Sequence, residues 1–262
     1  MIYFLSGLPR SGSTLIGSIL NQNPDIYVSP TSPLLDLLCS QNDAINAVSQ
    51  QYTFDVELHA RALYDAIPIA FYKHIKQPYI IDKHRAWARN VVPAKSHVSP
   101  DPKIICTNRP VAEVVTSFIK LINRDPDNVI DQILRSKRIP INTNTRAMEL
   151  WEGYIRDPWD SLQIGLKSYK DNLYFVNYDD LIDHPETTIN GIYNFLEIPK
   201  YTHVFDGIVN TCSEAKDAAW GFKDLHTIRP KLEKTSDSAV ETLGPNLCNY
   251  FAKFDIQERK QT

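Results

Sequence analysis

The residues best suited to chemistry lie near the start of the chain. Gly7-Leu8-Pro9-Arg10-Ser11-Gly12-Ser13-Thr14 has the spacing of a phosphate loop, GxxxxGK[ST]. In such a loop, successive backbone N–H groups and the start of a helix cradle phosphate oxygens. Ser13 stands where nucleotide triphosphatases carry a lysine that reaches the β- and γ-phosphates, which weakens an ATPase or kinase reading. Arg10 places a basic side chain inside the loop instead. A second candidate anion site is Arg109, at the end of the apolar run 103–107, with Ser117 eight residues on. The planar fork of an arginine makes two hydrogen bonds to phosphate oxygens. Between these sites, Asp82-Lys83-His84-Arg85 ends another apolar run, and a histidine can accept a proton near neutral pH. Arg89 and Lys95 extend this basic stretch, which suggests a negative partner there.

Such residues need strand ends and helix starts to hold them. Four short β-type runs, 2–6, 79–81, 103–107 and 173–177, alternate with helical patterns. That alternation predicts an α/β fold of three layers: a central parallel sheet of four to five strands flanked by helices, P-loop-like. Ligands of such sheets bind at the carboxyl ends of the strands. Val111, Val114, Val115, Phe118, Ile119 and Ile122 form one apolar stripe, predicting a helix from Pro110 to about Ile122. Ser117 lies roughly 240° around that helix from Val111, off the stripe. Asp183 and Glu186 have capping-box spacing with Pro185 early in the next helix. Stretches 34–75 and 144–170 also read as helical, the latter interrupted near Pro158. No repeat is present, and residues 1–262 read as a single domain.

Composition narrows the function classes. The chain has 262 residues, 43% hydrophobic and 23% charged, enough to bury a core without staples. Its 28 Lys and Arg against 31 Asp and Glu give a net charge of −3, so the broad basic surface of a nucleic-acid binder is missing and any anion site is local. Cysteines 39, 106, 212 and 248 are far apart, which argues against a zinc cluster or a disulfide framework and for a reduced, cytoplasmic protein. The remaining histidines show no metal-type spacing. No signal sequence or run of about 18 apolar residues is apparent, so no membrane association is expected.

The run Phe4 to Thr14, followed by Ile19-Leu20-Asn21-Gln22-Asn23-Pro24, resembles the 5′-phosphosulfate loop of sulfotransferases that use 3′-phosphoadenosine 5′-phosphosulfate. The likeness is strongest to the RSGST/RSGTT branch, which includes tyrosylprotein sulfotransferases and bacterial relatives. Arg109 and Ser117 resemble the pair that binds the cofactor's 3′-phosphate in that family. Asp82-Lys83-His84 is similar both to the Lys-x-His of cytosolic members and to the Asn-Lys-Asp of tyrosylprotein members. The resemblance implies transfer of a sulfuryl group to a hydroxyl acceptor, with 3′-phosphoadenosine 5′-phosphosulfate as donor, adenosine 3′,5′-bisphosphate as product and no metal. His84, Lys83 and Arg10 would be catalytic. The donor would meet Pro9, Arg10, Ser11, Gly12, Ser13, Thr14, Arg109 and Ser117, with Tyr178 near the adenine and Lys223 and Arg229 in a closing loop.

Tyrosylprotein sulfotransferases take their base from a glutamate shortly after the first helix, where this chain reads Val28-Ser29-Pro30-Thr31-Ser32-Pro33. His84 is therefore the favoured base, with Asp36 and Glu57 as other candidates. The acceptor would be a small molecule, a saccharide or a peptide tyrosine, and oligomeric state is not legible. Two other readings stay open: a divergent P-loop kinase or nucleotide triphosphatase, and a non-catalytic nucleotide-binding protein of the same fold.

Overall fold

Five parallel strands form one sheet in order β2-β3-β1-β4-β5 in the computed structural model, which describes residues 1–48, 56–212, 221–228, 232–233 and 238–257. The strands are β1 (Ile2–Gly7), β2 (Ile26–Thr31), β3 (Tyr79–Lys83), β4 (Ile104–Asn108) and β5 (Leu173–Asn177). After β1 comes α1 (Ser13–Leu20), and after β2 come α2 (Leu34–Val48) and α3 (Val56–Phe71). Helix α4 (Val91–His97) follows β3. Between β4 and β5 lie α5 (Val111–Ile122), α6 (Val129–Ser136), α7 (Thr143–Leu150) and α8 (Arg156–Ser168). Beyond β5 lie α9 (Tyr178–Asp183), α10 (Pro185–Leu196) and α11 (Ala239–Phe251), the last interrupted at Gly244.

The central strand shows why the sequence forms layers. Side chains of a strand alternate between faces, and a strand covered on both faces needs apolar residues at successive positions. Phe4 enters the core beneath α2 to α8 and α11, with its ring centroid 4.4 Å from that of Trp87. Tyr3 and Leu5 face the opposite layer of α1, α9 and α10. Strands β3 and β4 flank β1, pairing Leu5 with Lys83 and Gly7 with Thr107. The loop after β1, the turn after β3 and Arg109 after β4 are therefore brought together at the carboxyl end of the sheet.

Three local expectations are corrected. Strand β2 lies outside the four expected runs; its Pro30, which cannot donate to a ladder, is tolerated at the sheet's edge, where the register with β3 slips between Val28 and Thr31. Asp183 does not cap α10: it ends α9, and His184 precedes Pro185 without a side-chain cap. The interruption in 144–170 is a π-helical turn at Trp151–Ile155, one turn ahead of Pro158, where the wider spiral relieves the proline's clash with the preceding turn. Helix α5 matches its apolar stripe, with Pro110 just outside it and the Val111 N–H donating to Asp255 Oδ1 at 2.8 Å.

Candidate active site

The loop after β1 is shaped by backbone demands. Gly7 has φ 132°, and a Cβ there would lie 2.2 Å from Thr107 Oγ1 and 2.4 Å from the Thr107 carbonyl oxygen. Leu8 N–H donates to that carbonyl at 3.0 Å, holding the loop against β4. Arg10 takes the left-handed region at φ 59°, and Gly12 at φ 95° starts α1. The first intrahelical bond runs from Ile16 N–H to the Gly12 carbonyl, so the N–H groups of Ser13, Thr14 and Leu15 have no acceptor within the helix. Together with the helix dipole they form an anion cradle. Ser11 serves the loop differently: its hydroxyl is buried, donating to Leu8 O at 2.5 Å and lying 2.6 Å from Thr107 Oγ1, so only its backbone can face a ligand.

A cavity of about 770 Å³ opens over this cradle. Arg10, Gly12, Ser13, Thr14, Arg109 and Ser117 all line it. Arg10 Nε donates to Ser117 Oγ at 3.1 Å, and its NH1 donates to the Leu225 carbonyl. Arg109 is pinned by Glu113 (Nε to Oε2, 2.9 Å) and lies 4.2 Å above the centroid of the Tyr178 ring. Tyr178 thus supports Arg109 on one ring face, and its edge would meet a Cβ added at Gly12. Lys120 on α5 and Arg124 just past its end also line the cavity, three and seven residues beyond Ser117. That i, i+3, i+7 spacing was visible in the sequence, but nothing local marked the face as functional.

Beside the loop, Lys83 is only 4% exposed and its Nζ lies 3.3 Å from Thr14 Oγ1. A lysine from β3 thus comes to the loop whose own lysine position holds serine. Its neighbour Asp82 points the other way and is fully buried, accepting from Tyr72 OH at 2.5 Å and Trp87 Nε1 at 2.6 Å. Burial raises the Asp82 pKa, opposed by hydrogen bonds from Ser32, Tyr72 and Trp87; the side chain anchors the strand end. Alternation along β3 therefore separates an anchoring carboxylate from a lysine at the phosphate loop.

A second cavity, of about 510 Å³, adjoins the first through Arg85, Leu225 and His226, which line both. Phe118, Tyr154 and Phe222 form an aromatic wall, with ring centroids 5.1 to 6.2 Å apart. Its polar side holds His84 and Asp36, whose Nε2 and Oδ1 are 3.5 Å apart.

The sequence matches the model of the Sulfotransferase family over residues 3–203. The chain belongs to the sulfotransferase family. No curated protein matches the sequence significantly. Among solved structures, this sulfotransferase is similar to the sulfotransferase domain from the curacin biosynthetic pathway (TM-score 0.57, 14% identity, 94% of this chain and 96% of that one covered). It is also similar to the sulfotransferase domain from the Synechococcus PCC 7002 olefin synthase (TM-score 0.50, 20% identity, 98% and 95% covered). At these identities the likeness is one of fold.

Within the sulfotransferase, the expected site residues are distributed unevenly. Pro9 lines the second cavity, not the first, and Arg10 lines only the first. Lys223 lines neither: it is 76% exposed and pairs with Asp125 at 3.2 Å, so it faces away from the cradle. The negative partner expected for Arg89 is a carboxylate of the protein itself, Asp157, at 2.6 and 3.3 Å. Lys95 is exposed on α4. The side chain of Glu57 and all of Arg229 lie outside the described residues. Among the described residues there is no cluster of metal-ligating side chains and no helix long and apolar enough to cross a membrane.

Proposed function

We propose that this sulfotransferase acts as a single domain moving a sulfuryl group from 3′-phosphoadenosine 5′-phosphosulfate to a hydroxyl acceptor by in-line transfer. The observation that carries the reading is one cavity lined by the phosphate loop, Arg109 and Ser117, with Lys83 delivered to the loop from β3. The cradle of Ser13 and Thr14 takes the 5′-phosphosulfate, and Arg109 with Ser117 takes the 3′-phosphate. Arg10, bonded to Ser117, belongs with this binding group, and Tyr178 keeps Arg109 in place. The Lys83 ammonium stabilises negative charge building on the departing phosphate oxygen. The acceptor enters the second cavity, whose aromatic wall and small polar side suit the hydroxyl of a small molecule, sugar or tyrosine residue. Cys39, Cys106, Cys212 and Cys248 are not joined in disulfides, which suits the reducing cytoplasm.

Thermal unfolding tests the donor. Adenosine 3′,5′-bisphosphate is expected to raise Tm at concentrations well below those needed of ATP with Mg²⁺, because stabilisation grows with the logarithm of ligand concentration relative to Kd, so a tighter ligand acts at lower concentration. Preference for ATP with Mg²⁺ would instead support a kinase or triphosphatase. Incubation of labelled donor with phenols, sugars and tyrosine peptides tests turnover, and failure to transfer to any of them would favour a non-catalytic nucleotide binder.

Arg109→Ala separates the phosphate sites. Its affinity for adenosine 3′,5′-bisphosphate is expected to fall about tenfold to a hundredfold, the value of a charge-assisted hydrogen bond, while affinity for adenosine 5′-monophosphate changes little. Calorimetry on both nucleotides checks this, and equal losses would remove Arg109 from the 3′-phosphate.

A further inference from the structure

His84 and Asp36, which face each other in the second cavity, are held in ways that give them different tasks. His84 Nδ1 accepts from the backbone N–H of Ala86 at 3.2 Å. A backbone amide only donates, so Nδ1 must present its lone pair. The single proton of neutral imidazole then sits on Nε2, the nitrogen 3.5 Å from Asp36 Oδ1. In this state one ring nitrogen is engaged by the backbone and the other already carries a proton, leaving no lone pair for an incoming hydroxyl. Charging the ring would set a second N–H against that of Ala86. Burial also holds the His84 pKa below its ordinary value; Asp36 and Asp82 pull it up, while Arg85 and Arg89 push it down.

Asp36 is placed differently. It lies in the first turn of α2, lines the same cavity and has a side chain 68% exposed. A carboxylate 3.5 Å from His84 Nε2 keeps lone pairs for an incoming hydroxyl, and its exposure lets it pass a proton to water. The charged and titratable groups around the pair are Asp82 from β3, Arg85 and Arg89 from the turn after it, Cys39 from α2, Asp157 from α8 and His226.

We propose that Asp36 takes the acceptor's proton and that His84 is a positioning residue, orienting the Asp36 carboxylate through its Nε2–H. This rests on the sulfuryl-transfer reading above. In the step, the acceptor oxygen forms its bond to sulfur as the bond from sulfur to the departing phosphate oxygen breaks. The electron pair of that bond stays on the phosphate oxygen, and the hydroxyl proton goes to Asp36 and then to solvent.

Kinetics and spectroscopy test this together, using the full chain, 3′-phosphoadenosine 5′-phosphosulfate and phenol as acceptor. Asp36→Asn is expected to lose about a hundredfold or more in kcat, the worth of a general base. His84→Gln, whose amide can still donate to Asp36, should stay within about tenfold of wild type and keep its acidic limb of kcat/KM, while His84→Ala loses more. The reverse order, with Asp36→Asn nearly unimpaired and His84→Gln disabled, would overturn the assignment. Nitrogen NMR of isotope-labelled histidine in the adenosine 3′,5′-bisphosphate complex should show His84 as the neutral Nε2–H tautomer, identified by loss of its signals in His84→Gln. An Nδ1–H tautomer or an imidazolium at neutral pH would overturn the proposal even if phenol is no acceptor. A wild-type protein that transfers to nothing, yet shows the Nε2–H tautomer, would count against the sulfuryl-transfer reading and leave the orientation of the pair supported.

Discussion

Lys83→Met is expected to lower kcat for sulfuryl transfer about a hundred- to a thousandfold while the protein stays folded, as when one preorganised charge-stabilising donor is removed. The side chain is 4% exposed, so its charge acts in a medium that screens far less than water. It also sits at Thr14, in the first turn of α1, where the positive end of the helix would hold the donor's phosphosulfate under the proposed function. Methionine has nearly the same length and no charge, and removing a buried ammonium relieves its desolvation cost, which offsets the lost polar contacts of Lys83 such as that to Thr14. Unchanged Tm in the free protein, together with the fall in single-turnover rate, is therefore the expected pair of results. A variant that unfolds would make Lys83 a structural residue, and one that transfers at the wild-type rate would remove it from the reaction.

Gly7→Ala is expected to cost about 4 kcal/mol or more of folding stability, in the range reserved for steric conflicts in a core. Two independent reasons act there. The backbone at φ 132° is one that side chains rarely adopt, and the new methyl would fall within 2.6 Å of the Thr107 nitrogen, carbonyl oxygen and hydroxyl. Those backbone atoms belong to the ladder that pairs Gly7 with Thr107, so neither strand can move aside cheaply. For a chain of this size the Tm should fall by roughly ten degrees. Gly207→Ala is the control: φ is 67° there, but a Cβ would have open space, and the expected cost is only about 1 to 2 kcal/mol. Similar losses at both positions would mean that backbone strain alone, not contact with β4, restricts position 7.

Features that were legible in the sequence share one property: their meaning is carried by residues close together in the chain. The phosphate loop spans eight consecutive residues between a strand and a helix, and α5 repeats its apolar stripe every turn. Strand β2 was harder, because Pro30 argues against a central strand and nothing in the sequence says that this strand is an edge. The contact made by Lys223 was hidden for a related reason. It lies in a basic segment that looks suited to phosphate, yet its partner Asp125 is 98 residues away.

By itself, the sequence determined the parallel α/β architecture, the strand–loop–helix with phosphate-loop spacing and the order in which loop, Lys83-His84 and Arg109 with Ser117 reach the strand ends. Hydrophobic period and backbone stereochemistry are local, so they are readable one segment at a time. Tertiary structure decided which way each polar side chain points: Lys83 towards Thr14 and Asp82 away from it, Arg10 towards Ser117, and His84 towards Asp36, 48 residues earlier in the chain. Those directions follow from strand pairing and from a single backbone N–H at Ala86, contacts whose partners are chosen only when the chain has closed on itself.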